Sequence, residues 1–275
     1  MNTADAQQAA GLVLTLGWLL VAVVLFAHRA DLVTSGPLIG RDVRVPGPLL
    51  WGSGAAVAFY TGQAVVVDAV EDAPNRIVAG ADRPVLDWMI VHRTPDLTSL
   101  MEAVSRYGGT NGTLLLAAAA VAVLLVTRRW WDALAVAVAT GGVAVLVPSF
   151  KDLYGRTRPP VATQLVVEPD LSLPSGHALG AIVVIGIIAV VLGRAVRSTG
   201  WRVVVGAVAA AAVLTISVSR LYLGVHWVTD VATSWTLGGA WLAVVVTGLM
   251  WVTGRGSGAG ARGRRAGRPG PPAAG

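Results

Sequence analysis

Seven stretches of this chain carry no charged side chain and approach or exceed the length needed to cross a bilayer: 11–27, 49–67, 107–127, 133–150, 178–193, 203–219 and 231–254. No other property limits the fold so severely. A hydrocarbon core about 30 Å thick takes roughly 20 residues of helix, and within it every backbone N–H and C=O needs a partner inside the protein. The stretches are rich in Ala, Val, Leu and Gly and lack the period-2 polar alternation of barrel strands, so helices are expected. Segment 178–193 is short and 49–67 contains Gln63, which leaves the count at seven or six. With 55% apolar and 13% charged residues and a mean hydropathy of +0.67, the composition excludes an ordinary soluble domain. The expected fold class is all-α, a polytopic transmembrane helical bundle.

Charge orients the bundle. Alternating the seven spans places Arg29, Arg41, Arg44, Arg128, Arg129, Arg194, Arg197, Arg202 and the five arginines beyond position 254 on one side. The positive-inside rule makes that side cytoplasmic. Residues 1–10 contain no Lys or Arg, so they do not read as the positive start of a secretory signal, and the N-terminus is expected outside. The chain has no cysteine, hence no disulfide or thiolate metal site. Its end, 253–275, is rich in Gly, Pro and Arg and is expected to be a disordered basic cytoplasmic tail near anionic headgroups; nucleic acid is not an expected partner.

Between the second and third spans, Leu86, Met89, Ile90, Leu97, Leu100, Met101 and Val104 recur at roughly helical spacing and are interrupted by Pro95. Two short amphipathic helices at the membrane surface are expected there, with Trp88 at headgroup level. His28 and His92 lie outside every motif and are assigned interfacial structural roles.

Three strings carry chemistry: KDLYGRTRP at 151–159, PSGH at 174–177 and SRLYLGVHWVTD at 219–230. The topology drawn from charge alone puts all three on the extracytoplasmic face. Lys151 and Arg158 are seven residues apart, two helical turns, so on a helix they share a face. A lysine point charge and an arginine fork together suit a phosphate dianion; taken alone, the pair also fits a basic cluster meeting headgroups. In PSGH, Pro174 and Gly176 make a tight loop that sets Ser175, the backbone amides and His177 at a helix N-terminus, where an anion is favoured. Ser175 as a plain N-cap is the competing reading. His226 and Asp230 stand at i and i+4, so the carboxylate can fix the imidazole tautomer, and Arg220 is near enough to bind the same phosphate. A proton relay in a transporter would use the same pair.

The order and spacing of these strings resemble the type 2 phosphatidic acid phosphatase and vanadium haloperoxidase superfamily: Lys, six residues, Arg-Pro; Pro-Ser-Gly-His; Ser-Arg, five residues, His, three residues, Asp. The resemblance covers 151–230. It implies that Lys151, Arg158 and Arg220 bind phosphate oxygens, with Ser175 and the Gly176 amide completing the cradle. It further implies that His226 attacks phosphorus and forms a phosphohistidine, that Asp230 orients it, and that His177 serves the leaving group and then the hydrolytic water. Neither metal nor cofactor is implied. Leu173 departs from the family, where an aromatic residue often precedes the Pro-Ser-Gly-His motif.

The resemblance also implies a six-helix phosphatase core with one additional N-terminal helix. Residues 1–48 are then an accessory helix and cytoplasmic loop, 49–252 the membrane phosphatase domain and 253–275 the tail. The expected activity is hydrolysis of a lipid phosphomonoester or diphosphate, such as phosphatidic acid, phosphatidylglycerol phosphate or undecaprenyl diphosphate, by an integral membrane enzyme whose partners are its lipid substrate and the bilayer. A lipid-linked phosphotransferase using the same phosphohistidine is the alternative. A haloperoxidase is expected to be soluble, and a non-catalytic transporter has no need of the histidine pair.

Overall fold

The computed structural model describes residues 33–34, 43–44 and 79–266. Two-residue strands β1 (Val33–Thr34) and β2 (Val43–Arg44) pair antiparallel, Val33 opposite Arg44. The other described elements are helical: α1 (Ala79–Val91), α2 (Pro95–Gly108), α3 (Thr110–Val126), α4 (Trp130–Tyr154), a 3-10 turn (Val161–Thr163), α5 (Gly176–Ala195), α6 (Thr199–Tyr222) and α7 (Val228–Ala266). The expected spans 11–27 and 49–67 lie outside the described residues. Apart from that two-residue pair, the described fold is a helical membrane bundle, and α7 continues past position 253, where the sequence suggested a tail.

Four described helices are long and apolar enough to cross a bilayer. They are α4, α5, α6 and the Val228–Met250 part of α7, with mean hydropathies of 2.0, 2.4, 2.0 and 1.3 over their most apolar windows. The stretch 107–127 takes a different form. Its helix α3 has 17 residues and continues α2 across Gly109 with a bend of 47°, the geometry of a broken span or a re-entrant loop rather than of one straight helix. The outward faces are apolar, with Leu115, Val126, Val203 and Val208 all more than 60% exposed, as lipid-facing positions should be.

Helix α5 is the centre of the bundle and packs against α2, α3, α4, α6 and α7. Its Leu179, Val183, Val184, Ile187 and Val191 are buried among Val136 and Ala139 of α4 and Leu237, Val245 and Leu249 of α7. Small residues set the spacing: a Cβ on Gly238 would lie 2.5 Å from Ile182, and one on Gly142 2.2 Å from the Trp241 ring. Close backbone approach of this kind replaces the hydrophobic drive that is missing inside lipid.

The two short helices expected ahead of the third uncharged stretch are present as α1 and α2. They separate at Arg93-Thr94-Pro95, where Pro95 opens α2 and Thr94 Oγ1 accepts the Leu97 N–H at 3.3 Å. Their apolar faces pack on the bundle. Leu86 is buried, and Met89, Leu97 and Met101 pack on Tyr222, Leu223 and Val225 at the end of α6.

Antiparallel succession decides where the strings meet. The C-terminus of α4, the N-terminus of α5, the C-terminus of α6 and the N-terminus of α7 fall at one end of the bundle, together with the α2–α3 bend. Arg128, Arg129, Arg194, Arg197 and Arg202 fall at the other end.

Candidate active site

Lys151 sits in the last turn of α4, which ends at Tyr154 because Gly155 adopts the left-handed conformation (φ 60°) and returns its N–H to the Lys151 carbonyl. Arg158 is therefore beyond the helix, and the shared helical face expected for the pair does not form. The two cations meet instead on Asp170: its carboxylate pairs with Lys151 Nζ and with Arg158 Nη2, while Arg158 Nε donates to the Asp170 carbonyl at 2.8 Å. Partial burial pushes the Asp170 carboxyl up, but the Lys151 and Arg158 hydrogen bonds outweigh it and hold the group down at about 2.

Arg220, in the last turn of α6, is 2% exposed. Its Nη1 donates to Ser105 Oγ of α2 and its Nη2 pairs with Glu168. All three cations that the sequence singled out are thus engaged by carboxylates of one loop, Glu168 and Asp170.

Ser175 occupies the N-cap position of α5, following a cis Leu173–Pro174 bond. The plain capping role is not fulfilled, because its side chain makes no capping hydrogen bond. Ser175 Oγ and Arg220 Nε are both buried without a hydrogen-bond partner. Each is an orphaned donor of the kind that a ligand's acceptor oxygens would satisfy. Gly176 opens the helix, and His177 follows in its first turn against Gly109, where a Cβ would lie 2.7 Å from His177 Nε2. A cavity of about 460 Å³ opens between His177, Arg220 and Glu168 on one side and Glu102, Arg106 and Asn111 of the α2–α3 elbow on the other.

His226 lies in the short connection before α7 rather than on the helix, and it still reaches Asp230, Nδ1 to Oδ2 at 3.4 Å. Arg158 Nη1 stands 3.0 Å from the other ring nitrogen, Nε2. A guanidinium only donates, so Nε2 carries the lone pair and Nδ1 the proton. Burial pushes the imidazole down to about 4; Asp230 pulls it back up, and Arg158 and Arg220 push it further down.

Asp230 is fully buried in the first turn of α7. Its Oδ2 accepts the Trp227 N–H at 2.9 Å and the Ser172 hydroxyl, the backward half of a capping box. Its Oδ1 pairs with Arg156, which in turn pairs with Asp82 of α1 at 2.6 Å. Arg156, Ser172, Asp82, Glu168 and Asp170 were not singled out from the sequence. Arg156 lies inside the first string, two residues from Arg158, whereas nothing near Asp82 in the chain marks it. Among the described residues no group of three or more His, Asp or Glu converges as a metal site.

The sequence profile of the PAP2 superfamily matches residues 130–253, which hold every helix end just described except those of α1–α3. Phosphatidylglycerophosphatase B of Bacillus subtilis is 31% identical over 162 residues, covering 58% of this chain and 79% of that one. Undecaprenyl-diphosphatase of Sulfolobus acidocaldarius is 40% identical over 74 residues, 27% of this chain and 31% of the relative. The crystal structure of a transmembrane PAP2-type phosphatidylglycerolphosphate phosphatase from Bacillus subtilis superposes with a TM-score of 0.64 at 28% identity, over 70% of this chain and 94% of that one. Gathered motifs, helical architecture and these likenesses agree: the chain belongs to the PAP2 superfamily and is a multi-pass membrane lipid phosphatase.

Proposed function

We propose that the chain hydrolyses a lipid phosphomonoester or diphosphate through a phosphohistidine on His226, without a metal ion. The observation that carries this reading is the placement of His226, with Nδ1 3.4 Å from Asp230 Oδ2 and Nε2 3.0 Å from Arg158 Nη1 amid the cationic cradle, which suits a neutral ring with its lone pair on Nε2. The phosphate takes the place of Glu168 and Asp170 on Lys151, Arg158 and Arg220, and also receives the Ser175 hydroxyl, the Gly176 amide and Arg220 Nε. His226 Nε2 attacks phosphorus in line, the bond to the leaving oxygen breaks, and His177 donates the proton that oxygen needs. A water deprotonated by His177 then attacks the phosphohistidine, releasing phosphate and restoring both rings. Charge stabilisation comes from lysine and arginine side chains, which is why no cation is required.

The reacting end is assigned to the extracytoplasmic face and the C-terminus to the cytoplasm, because the arginines of the α3–α4 and α5–α6 connections lie at the opposite end. Substrate lipids then enter laterally, headgroup in the cavity and tail in the bilayer. The printed names of the relatives offer phosphatidylglycerol phosphate and undecaprenyl diphosphate as first substrates. The domain division keeps 49–252 as the phosphatase unit. Transfer of the phosphoryl group to an alcohol instead of water is the second reading, since nothing in the intermediate itself forbids it.

The test is phosphate release by the full chain in detergent, in EDTA, from phosphatidic acid, phosphatidylglycerol phosphate and undecaprenyl diphosphate, with His226→Ala as control. Release abolished in the control supports the proposal; release that survives it, or that EDTA removes, overturns it.

A further inference from the structure

Asp230 is a completely buried carboxylate, and His226 satisfies only part of it. The remaining demand is met by a chain of alternating charge that leaves the catalytic pocket and ends on α1. Arg156 Nη1 pairs with Asp230 Oδ1 and Nη2 with Asp82 Oδ2. Arg156 Nη1 also donates to Thr229 Oγ1 at 2.7 Å, and its guanidinium lies 5.9 Å from the centre of the Trp227 ring. Asp82 is only 6% exposed, and its Oδ1 accepts the Thr229 N–H at 3.0 Å, capping the first turn of α7 from another helix. Arg93 fastens the far end of α1, donating to the Tyr222 carbonyl at 2.9 Å and to the Thr163 carbonyl at 2.9 Å, the two strands of backbone that flank the His226 turn.

We propose that Arg156 and Asp82 are positioning residues for the nucleophile: Asp82 aims Arg156, Arg156 fixes and partly neutralises Asp230, and Asp230 holds the His226 ring with Nε2 toward phosphorus. Helix α1, which lies outside the matched family region, is on this account part of the catalytic machinery. The inference rests on the phosphohistidine reading for its kinetic consequences, though not for its structural ones.

The physical reason is direction. A carboxylate that faces one histidine and no cation pulls the proton hard, favouring imidazolium, which has no lone pair to attack with. Arg156 on the far oxygen weakens that pull. The charged groups facing His226 are Asp230, Arg158, Arg220 and His177, and Arg156 acts on them only through Asp230. An unpartnered Arg156 would be free to swing; Asp82 and Thr229 remove that freedom.

The experiment uses the full chain in detergent, with wild type, Arg156→Ala, Arg156→Lys, Asp82→Asn and the Asp82→Asn/Arg156→Ala double variant. Asparagine keeps the acceptor for the Thr229 N–H, so a loss in that variant is not a loss of the cap. With phosphatidylglycerol phosphate or undecaprenyl diphosphate, whichever the wild type cleaves, Arg156→Ala is expected to lower kcat by about 10- to 100-fold at little changed KM, the scale on which partners that orient a reacting ligand act. Guanidinium ion restores part of it, Asp82→Asn shows a smaller loss of the same kind, and the double variant is no worse than Arg156→Ala alone.

A second readout needs no turnover. In the ¹⁵N-histidine-labelled chain, with His226 assigned by His226→Gln, the wild-type ring is the Nδ1–H tautomer and Arg156→Ala moves its titration midpoint upward. Wild-type kcat in Arg156→Ala, losses carried by KM, multiplying losses in the double variant, or a His226 midpoint and tautomer unmoved by Arg156→Ala would overturn the proposal. A wild type that cleaves neither lipid would fail the phosphatase reading, while the ring titration would still decide this one.

Discussion

The two halves of the site differ in how finished they are. On the side of the proposed nucleophile His226, Asp230 and Asp82 are buried, Arg156 is partly buried, and the four are partnered in sequence, so that half holds its geometry before any ligand arrives. On the phosphate side Lys151, Arg158 and Arg220 are held by Asp170 and Glu168, whose side chains are 53% and 27% exposed, and Ser175 Oγ has no partner. The contrast teaches a division of labour. The ring proposed to react is preorganised by its neighbours, whereas the proposed cradle holds its three largely buried cations on two more exposed carboxylates that a phosphate would displace.

Substitutions on the two sides should fail differently. The largest effect is expected at His226, where alanine removes the proposed nucleophile and should lower kcat by about 10⁴-fold or more; a residual rate within tenfold of wild type would break the distinction outright. Next comes Arg220→Ala in the cradle, expected to cost about 10²- to 10³-fold in kcat/KM, because the cation serves both bound phosphate and transition state. His177→Ala should cost a comparable 10²- to 10⁴-fold on a phosphomonoester and clearly less on a diphosphate, whose leaving group departs without needing a proton; equal losses on both would remove the acid role.

The smallest effect separates the halves best. Asp170→Asn deletes an exposed carboxylate that competes for Lys151 and Arg158, and exposed ion pairs contribute little on their own. Orthovanadate, which adopts the five-coordinate shape of the transition state, should therefore bind about 2- to 5-fold more tightly in that variant. Weaker binding would mean that Asp170 holds the cations in place rather than occupying them. Acidity gives a parallel check on the other half. The proposed attack needs a neutral His226, and burial lowers the ring to about 4 despite Asp230, so it stays neutral as pH falls from 7 and gains its proton only below the usual histidine range. The acid limb of kcat/KM belonging to this ring should lie well below the usual histidine value near 6.5; substrate ionisation is recognised because it moves when the substrate is changed.

The helices from 107 onward were legible because long uncharged runs admit one solution in lipid. The bend at Gly109 was not, since charge-free length says nothing about direction. The gathering of Lys151, Arg158, Ser175, Gly176, His177, Arg220, His226 and Asp230 at one end follows from alternating helix direction, and the strings sit at successive helix ends. Local geometry was harder to read. Spacing put Lys151 and Arg158 on one helical face and His226 on a helix with Asp230, but Gly155 stops α4 before Arg158 and α7 begins after His226. Both pairs still meet, through loops rather than helical turns. Asp82 was invisible because its partners, Arg156 and Thr229, are 74 and 147 residues away, and a lone aspartate opening an amphipathic helix reads as solvated.

The central claim is a covalent intermediate on His226, and trapping it is the most direct measurement. Wild-type chain in EDTA, mixed with phosphatidylglycerol phosphate or undecaprenyl diphosphate labelled with ³²P at the terminal phosphate and quenched rapidly, should carry label that survives base and is lost in acid, as a phosphohistidine does. His226→Ala should carry none, and His177→Ala should accumulate more where its attack step still proceeds. Phosphate released at the wild-type rate with no labelled protein at any time, or label that persists in His226→Ala, would contradict the account.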